Sequence, residues 1–205
     1  MITTIIFDYG GVITADRRSR CFSEWACAKY GVSKTIVNSL FDSEHFNQYM
    51  RGKIDKQEFF SRFQEIGVTT DIESMSQQLV TYNEPVTRMK NLLDSLSRRY
   101  DLCLISDSTP ELTKDVRKKF KHIFRVFIFS DERGYVKDDQ ILYDIAFSEI
   151  GADPKRCIYI DDKEEKLEYP RSKGVIGIHF RGVDLLMKTL AKACGESPYT
   201  LAHNQ

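Results

Sequence analysis

The apolar positions of this chain fall into two patterns. Short continuous runs are typical of strands that are buried on both faces of a parallel sheet. Longer segments between the runs carry apolar residues at three- and four-residue spacing, which predicts helices. The predicted strands cover Ile5–Phe7, Leu102–Ile105, Val126–Phe129, Cys157–Ile160 and Val175–Phe180. The predicted helices between them include Pro85–Arg99, Leu142–Ile150 and Leu185–Ala193, and Pro110 is expected in the first turn of another.

One long stretch interrupts this alternation after the first predicted strand. Its apolar residues keep helical spacing, and glycines separate its segments. The predicted helices there cover Phe22–Tyr30, Ser33–Phe41, Lys56–Ile66 and Ser74–Tyr82. A connection of this length is uncommon inside a compact domain. We therefore predict a doubly wound α/β core, with a mainly parallel, Rossmann-like sheet, over residues 1–15 and 84–205, and an inserted α-helical cap domain over residues 16–83.

The overall composition narrows the classes of function. The chain has 205 residues, of which 41% are hydrophobic and 29% charged, enough for one domain and a smaller insertion. Thirty basic and thirty acidic residues give a formal net charge of zero, so we expect no nucleic acid partner and no attraction to anionic membranes. The first residues show neither a signal peptide nor a membrane span.

The cysteines indicate the redox environment. The five cysteines are scattered, with no C-x-x-C pair and no neighbouring histidine at ligand spacing. Zinc and a disulfide framework are therefore not expected, and a reducing, cytoplasmic location fits best. The segment after Gly195 is expected to be poorly ordered. A monomer and a homodimer both stay open.

Polar side chains follow the predicted strands, at the sheet edge where a doubly wound fold binds ligands. Singly, each has a structural explanation, because a strand-terminal aspartate often caps the next helix and a loop lysine is usually solvated. Together, three carboxylates at one edge would repel one another strongly without a cation. Oxygen ligands without histidine or cysteine favour Mg²⁺. The residues in this set are Asp8, Ser106, Asp107, Lys137, Asp161 and Asp162.

This set suits the transfer of a phosphoryl group. A bound Mg²⁺ can hold a phosphoryl oxygen while a carboxylate attacks phosphorus. Ser106 can donate a hydrogen bond to a nonbridging oxygen, and Lys137 can offset charge on the nucleophile and on the transferring group. We therefore expect small-molecule phosphate esters as substrates.

Four segments, in order along the chain, resemble the sequence motifs of the haloacid dehalogenase (HAD) superfamily. The segments are Phe7-Asp8-Tyr9-Gly10-Gly11-Val12-Ile13-Thr14, Leu104-Ile105-Ser106-Asp107-Ser108, Gly134-Tyr135-Val136-Lys137 and Tyr159-Ile160-Asp161-Asp162. The long helical insertion after the first motif is similar to a C1-type cap. The resemblance covers almost the whole chain and is closest to the phosphatases of the superfamily.

This resemblance implies a role for each matched residue. Asp8 would be the nucleophile that forms an aspartyl-phosphate. Mg²⁺ would be bound by Asp8, the backbone carbonyl of Gly10 and Asp162, with Asp161 behind them or sharing a water molecule with the ion. The residues that would contact the substrate phosphate are Ser106, Asp107 and Lys137.

Three positions depart from the pattern of the family. Phosphatases of the family usually carry a second aspartate two positions after the nucleophile, as general acid and base, and here that position is Gly10. Similar Asp-x-Gly-Gly-Val segments occur in members that resemble sugar-1-phosphate phosphatases. Turnover would then rely on a good leaving group, on water, or on a surrogate acid such as Asp16 or a cap side chain. Asp138 follows Lys137 where proline is common, and Lys166 stands where asparagine is common.

Two alternatives use the same scaffold. A phosphate-binding regulatory protein, without multiple turnovers, would explain the missing second aspartate. A 2-haloacid dehalogenase would use Asp8 to attack carbon without a metal, but the paired acids Asp161 and Asp162 are not typical of that subgroup. A requirement for Mg²⁺ separates the dehalogenase from the phosphatase.

Overall fold

The computed structural model describes residues 1–15, 18–81 and 84–197. Within these ranges, five strands form one sheet in the order β3-β2-β1-β4-β5, and every neighbouring pair is parallel. The strands are β1 (Thr4–Phe7), β2 (Asp101–Ser106), β3 (Val126–Phe129), β4 (Cys157–Asp161) and β5 (Ile176–His179). The predicted doubly wound α/β class is confirmed.

The central position of β1 determines where ligands can bind. It pairs with β2 on one side and with β4 on the other, so that Phe7 lies opposite both Leu104 and Ile160. The chain therefore continues to opposite sides of β1, which creates a topological switch point at its carboxyl end. The residues that follow β1, β2 and β4 must meet there.

Helices cover both faces of this sheet. One apolar layer includes Leu92, Val116 and Leu190, and the other includes Leu142, Ala146 and Leu167. The continuous apolar runs of the strands supply residues to both layers, as expected for a sheet buried on both sides. The helices of the core are α6 (Thr87–Leu96), α7 (Pro110–Phe120), α8 (Ser130–Arg133), α9 (Gln140–Ile150), α10 (Glu168–Ser172) and α11 (Val183–Cys194).

The insertion after β1 is helical and has its own apolar core. Aromatic rings dominate this core, with Phe63 only 5.0 Å from Phe22 and 5.3 Å from Phe41 between ring centroids. Such a cluster gives the insertion a source of stability separate from that of the sheet. Its helices are α1 (Arg18–Tyr30), α2 (Lys34–Phe41), α3 (Glu44–Met50), α4 (Lys56–Glu65) and α5 (Ile72–Thr81). The predicted domain limits at residues 16 and 83 lie outside the described ranges.

Two details differ from the sequence-based prediction. The short helix α3 was not predicted; it begins where the Ser43 hydroxyl accepts a hydrogen bond from the Phe46 N–H at 3.2 Å. Pro85 was expected in the first turn of α6, but the helix begins at Thr87. Pro85 instead forms a bridge with Thr14, beside a hydrogen bond from the Val86 N–H to the Ile13 carbonyl at 3.0 Å.

Pro110 occupies the first turn of α7, as predicted, and Cys103 and Cys157 are both buried. None of the helices in the described ranges has the length and apolarity needed to cross a bilayer. Most of the tail expected to be poorly ordered, residues 198–205, lies outside the structure's described residues.

The aromatic core of the insertion generates a prediction about stability. Phe63→Ala should lower the free energy of unfolding by about 3–5 kcal/mol, because it removes a fully buried ring and leaves a cavity. Ile36→Ala, at a half-exposed position of the same insertion, should change it by less than about 0.5 kcal/mol. Chemical denaturation of both variants measures the difference, and equal effects would contradict a packed cap core.

Candidate active site

Asp8 lies at the centre of the site, directly after β1. Its backbone N–H donates to the Ile160 carbonyl at 2.9 Å, which continues the pairing with β4 by one residue. The Tyr9 N–H donates to Oδ1 of Asp8 at 2.7 Å, so the turn itself orients the carboxylate. The side chain is buried at the sheet edge, where a buried carboxylate requires a compensating charge.

The loop after Asp8 depends on Gly11. Gly11 has a φ of +80°, a region that favours glycine, and a Cβ placed there would lie 2.1 Å from Oδ2 of Asp162. The backbone after β1 and the carboxylate after β4 thus approach each other more closely than any side chain would allow. This close approach brings Asp162 next to Asp8.

Asp161 and Asp162 complete a cluster of three carboxylates. One oxygen from each of Asp8, Asp161 and Asp162 lies within 4.8 Å of the others. Asp161 is fully buried and firmly held: its carboxylate accepts hydrogen bonds from the Tyr159 hydroxyl at 2.6 Å and the Lys163 N–H at 2.9 Å. Asp161 is therefore anchored behind the other two carboxylates.

Lys137 supplies the positive charge of the cluster. Its Nζ lies 2.9 Å from Oδ1 of Asp8 and 2.9 Å from Oδ2 of Asp161, with 5% of the side chain exposed. Burial by itself lowers the pKa of Lys137, but the carboxylates of Asp8 and Asp161 more than offset this effect and hold the pKa well above its usual value. Lys137 therefore remains cationic.

The same burial acts in the opposite direction on Asp8. Burial raises the pKa of Asp8 to about 7, with Lys137 opposing the rise and Asp161 adding to it. A carboxyl group in this state needs further positive charge to stay ionised at neutral pH. The arrangement thus favours the arrival of a cation at Asp8.

Ser106 and Asp107 approach the cluster from the end of β2. Both line a small cavity of about 60 Å³ in front of Asp8. Oδ1 of Asp107 accepts a hydrogen bond from the Lys137 N–H at 2.8 Å, and the Ser106 hydroxyl donates to the Asp107 carbonyl at 3.1 Å. The complete lining of the cavity is Asp8, Gly10, Ser106, Asp107, Lys137, Asp162, Lys163 and Lys166.

The chemistry of the donors fits a magnesium ion. The cluster contains carboxylates alone, and the Gly10 backbone lines the same cavity. A hard divalent cation prefers such oxygen ligands, and two or more converging carboxylates provide the charge it needs. Lys137 links Asp8 to Asp161, and Asp162 lines the same cavity as Asp8.

The structure brings together all the residues predicted from the strand ends, and it adds others. Lys163 and Lys166 also line the cavity, and Lys163 could have been found because it directly follows the paired acids. His179 in β5 contacts the carbonyl of Asp162 at 3.0 Å through Nε2. Asp16, considered as a surrogate acid, lies outside the described residues.

Two of the departures from the family pattern turn out to be partners. The ammonium of Lys166, which is 8% exposed, forms an ion pair with the carboxylate of Asp138. Asp138 directly follows Lys137, so the pair joins the loop of Lys137 to the segment after β4. A proline at 138 and an asparagine at 166 would remove this ion pair together.

A second, larger cavity lies between the cap and the core. It has a volume of about 250 Å³ and meets the small cavity at Asp107. A cavity of this volume suits a small organic molecule. Its lining consists of Phe41, Asp42, Ser43, Glu44, Phe46, Asn47, Met50, Asp107, Val136 and Asp138.

Several proteins of known sequence or structure are similar to this chain. A sesquiterpene phosphatase of Aspergillus oryzae is 24% identical over 179 residues, which are 85% of this chain and 87% of that protein. A D-ribitol-5-phosphate phosphatase of Bacteroides thetaiotaomicron is 20% identical over 185 residues, 85% of this chain and 89% of that protein. A HAD family enzyme of the same bacterium, solved in complex with magnesium and inorganic phosphate, has a TM-score of 0.70 at 20% identity, covering 87% of this chain and 93% of that one.

The family model described as haloacid dehalogenase-like hydrolase matches residues 2–168, which include β1, the helical insertion and the loop after β4. This match spans most of the chain and all the residues of the carboxylate cluster. This protein therefore belongs to the haloacid dehalogenase-like hydrolase family.

Proposed function

We propose that this hydrolase is a magnesium-dependent phosphatase that acts on small phosphate monoesters through an aspartyl-phosphate on Asp8. The observation that carries the proposal is the convergence of Asp8, Asp161 and Asp162 within 4.8 Å, with the buried ammonium of Lys137 at 2.9 Å from both Asp8 and Asp161. The similar proteins named sesquiterpene phosphatase and D-ribitol-5-phosphate phosphatase support the same chemistry.

Asp8 is the proposed nucleophile. It lies at the cavity floor, and its carboxylate is oriented by the Tyr9 N–H and by Lys137 before any substrate enters. A carboxylate held in this way can attack the phosphorus of a bound ester without further reorganisation. The bond from phosphorus to the ester oxygen breaks as the bond to Asp8 forms, and the leaving oxygen takes a proton from water. A water molecule then hydrolyses the aspartyl-phosphate, which releases orthophosphate and restores the Asp8 carboxylate.

The charge of the transferring group is offset from several sides. Lys137 faces the group as a permanent cation, and the Ser106 hydroxyl can turn toward a phosphoryl oxygen. Asp8, Asp162 and the carbonyl of Gly10 would hold Mg²⁺. When bound, the ion supplies positive charge to a phosphoryl oxygen and allows Asp8 to stay ionised.

The leaving group is proposed to lie in the cavity between cap and core. That cavity opens beside Asp107 and is lined by apolar cap residues such as Phe46 and Met50. A volume of about 250 Å³ suits the leaving group of a small metabolite. The cap side chains therefore select the substrate, in keeping with the expectation of a small-molecule phosphate ester.

Gly10 favours one second candidate function. Without a side chain there, no general acid stands two residues after Asp8, and a missing general acid and base typically costs about 10²- to 10⁴-fold in rate. A phosphate-binding regulatory protein needs no such group. In that case phosphate would bind and repeated turnover would be absent.

The cytoplasmic location and the monomer or homodimer state stay predictions from the sequence.

Asp8→Asn tests the proposed function most directly. Hydrolysis of a panel of phosphorylated metabolites should require Mg²⁺ in the wild-type protein and fall at least about 10³-fold in the variant, because an amide cannot act as the nucleophile. Asp144→Asn, which changes a surface aspartate that binds Tyr169, is the matched control and should retain activity. Turnover that persists in Asp8→Asn or without Mg²⁺ would contradict the proposal.

Gly10→Asp tests the role of the missing acid. An aspartate at this position could protonate the leaving oxygen, so hydrolysis of alkyl phosphates should rise by about tenfold or more. Hydrolysis of p-nitrophenyl phosphate, whose leaving group needs little protonation, should change much less. Steady-state kinetics on the two substrates separates the cases, and an unchanged or lower alkyl phosphate rate would show that another group already serves as the acid.

The raised pKa of Asp8 predicts how magnesium binding depends on pH. With a pKa of about 7, Asp8 holds a proton below neutral pH that the cation must displace. The affinity for Mg²⁺ should therefore fall below pH 7, by about tenfold per pH unit, and stay level above it. Calorimetric titrations between pH 5.5 and 8.5, chosen as about 1.5 units on either side of this pKa, measure the effect.

Asp8→Asn is the control for this pH dependence. The variant should bind Mg²⁺ more weakly, because an amide carries no charge, and should lose the dependence on pH over this range. Asp162→Asn should bind weakly and keep it, since Asp8 is still present. A wild-type affinity that is constant from pH 8 to pH 6 would show that Asp8 carries no proton there.

A further inference from the structure

Lys137 is presented by a tight turn, and one carboxylate holds this turn together. The Asp139 N–H donates to the Val136 carbonyl at 2.8 Å, and the Val136 N–H donates to Oδ2 of Asp139 at 3.0 Å. Lys137 lies between these two closing contacts. The direction in which its side chain leaves the backbone thus depends on where the Asp139 carboxylate is held.

The residue that holds this carboxylate comes from the cap. Both terminal nitrogens of Arg51 contact the two oxygens of Asp139, with Nη2 at 3.2 Å from Oδ1. The Nε–H of Arg51 donates to Oδ1 of Asn47 at 3.1 Å, which fixes the plane of the guanidinium. The Arg51 and Asp139 side chains are 15% and 29% exposed, so water screens this pair less than a fully exposed one. A bidentate pair of this kind defines a direction as well as a distance.

The backbone around Arg51 is docked on the core. The Ser130 hydroxyl donates to the Met50 carbonyl at 2.6 Å and accepts from the Ser108 N–H at 2.8 Å. Ser108 lies two residues after Ser106. Gly52 has a φ of +62°, and a Cβ there would lie 2.3 Å from the Asp131 carbonyl. The end of α3 thus contacts the core with little freedom, and Arg51 extends from this fixed segment.

The core holds the same loop in other ways, none of which replaces Arg51. Asp107 accepts from the Lys137 N–H, and Lys166 pairs with Asp138, so the two contacts restrain the apex of the turn. Neither contacts the Asp139 carboxylate that closes the turn. Arg51 therefore supplies the restraint on the closing residue.

We infer that Arg51 is a positioning residue for Lys137: the cap, through Arg51 and Asp139, orients the ammonium that faces the phosphoryl group. This inference rests on the proposed function. It assigns to the cap a role in the phosphate half of the site, in addition to its contact with the leaving group. The binding of orthophosphate, which has no leaving group, should therefore depend on the ion pair between Arg51 and Asp139.

The test compares Arg51→Gln, Asp139→Asn and the double variant in the full chain with Mg²⁺. Each single variant should lower kcat for p-nitrophenyl phosphate about tenfold and weaken inhibition by orthophosphate to a similar extent, because a displaced ammonium loses contact with the phosphoryl oxygens. In the double variant, kcat and the inhibition by orthophosphate should lie within about twofold of those in the single variants, since each single variant already removes the same interaction. Arg51→Lys, which keeps the charge but not the fork, should be intermediate.

Arg88→Gln is the matched control. Arg88 forms a similar two-nitrogen pair with Asp184, but it joins α6 to α11 and is 61% exposed. In this variant, kcat for p-nitrophenyl phosphate and the inhibition by orthophosphate should stay within about twofold of wild type. Thermal unfolding of every variant tests whether it is folded. If Arg51→Gln does not fold, Asp139→Asn alone provides the test.

Three outcomes overturn the inference. Unchanged inhibition by orthophosphate in Arg51→Gln and Asp139→Asn would show that the pair affects only the leaving-group side. Effects that multiply in the double variant would show two independent roles. Losses equal to those of Arg88→Gln would show a general effect of removing an ion pair. If the wild-type protein binds orthophosphate but shows no turnover, the proposed function fails, while calorimetric binding of orthophosphate to the same variants still decides the role of Arg51.

Discussion

A single buried ammonium connects the parts of this site. Lys137 lies within 2.9 Å of both Asp8 and Asp161, and these residues come from three different segments of the core. A charge in this position is costly unless it is paired, and removing one partner leaves the others uncompensated. The loops after β1, β3 and β4 therefore hold each other through the groups that are proposed to do the chemistry, so the fold and the site share one electrostatic constraint.

The sheet and the centre of the site could be predicted because they follow from simple rules. Continuous apolar runs indicate strands buried on both faces, and the carboxyl ends of parallel strands meet at one edge. Asp8 follows one such run directly, and the pair Asp161 and Asp162 follows another, so their convergence required only the topology. Lys137 was less direct, since it stands well after β3 and beyond the short helix α8.

Other features depend on contacts that no local pattern reveals. Asp138 and Lys166 each look like an isolated departure, and only the structure shows that they form one ion pair. Arg51 lies in a segment of mixed polarity at the end of α3, a helix too short to give a clear periodicity. Its partner Asp139 is far along the chain, and the choice of partner is decided by how the cap packs on the core. The prediction of Pro85 in a helix was wrong, because its pairing with Thr14 is likewise non-local.

The bridge between Thr14 and Pro85 has a broader meaning for the architecture. The chain leaves the core and returns to it through neighbouring segments joined by a backbone hydrogen bond, so both ends of the insertion are attached to the core at one place. The five strands of the sheet all lie outside the insertion, and the insertion has its own aromatic interior. The pairing of the parallel sheet is therefore independent of the insertion, whereas the position of the Asp139 carboxylate depends on a residue that the insertion supplies.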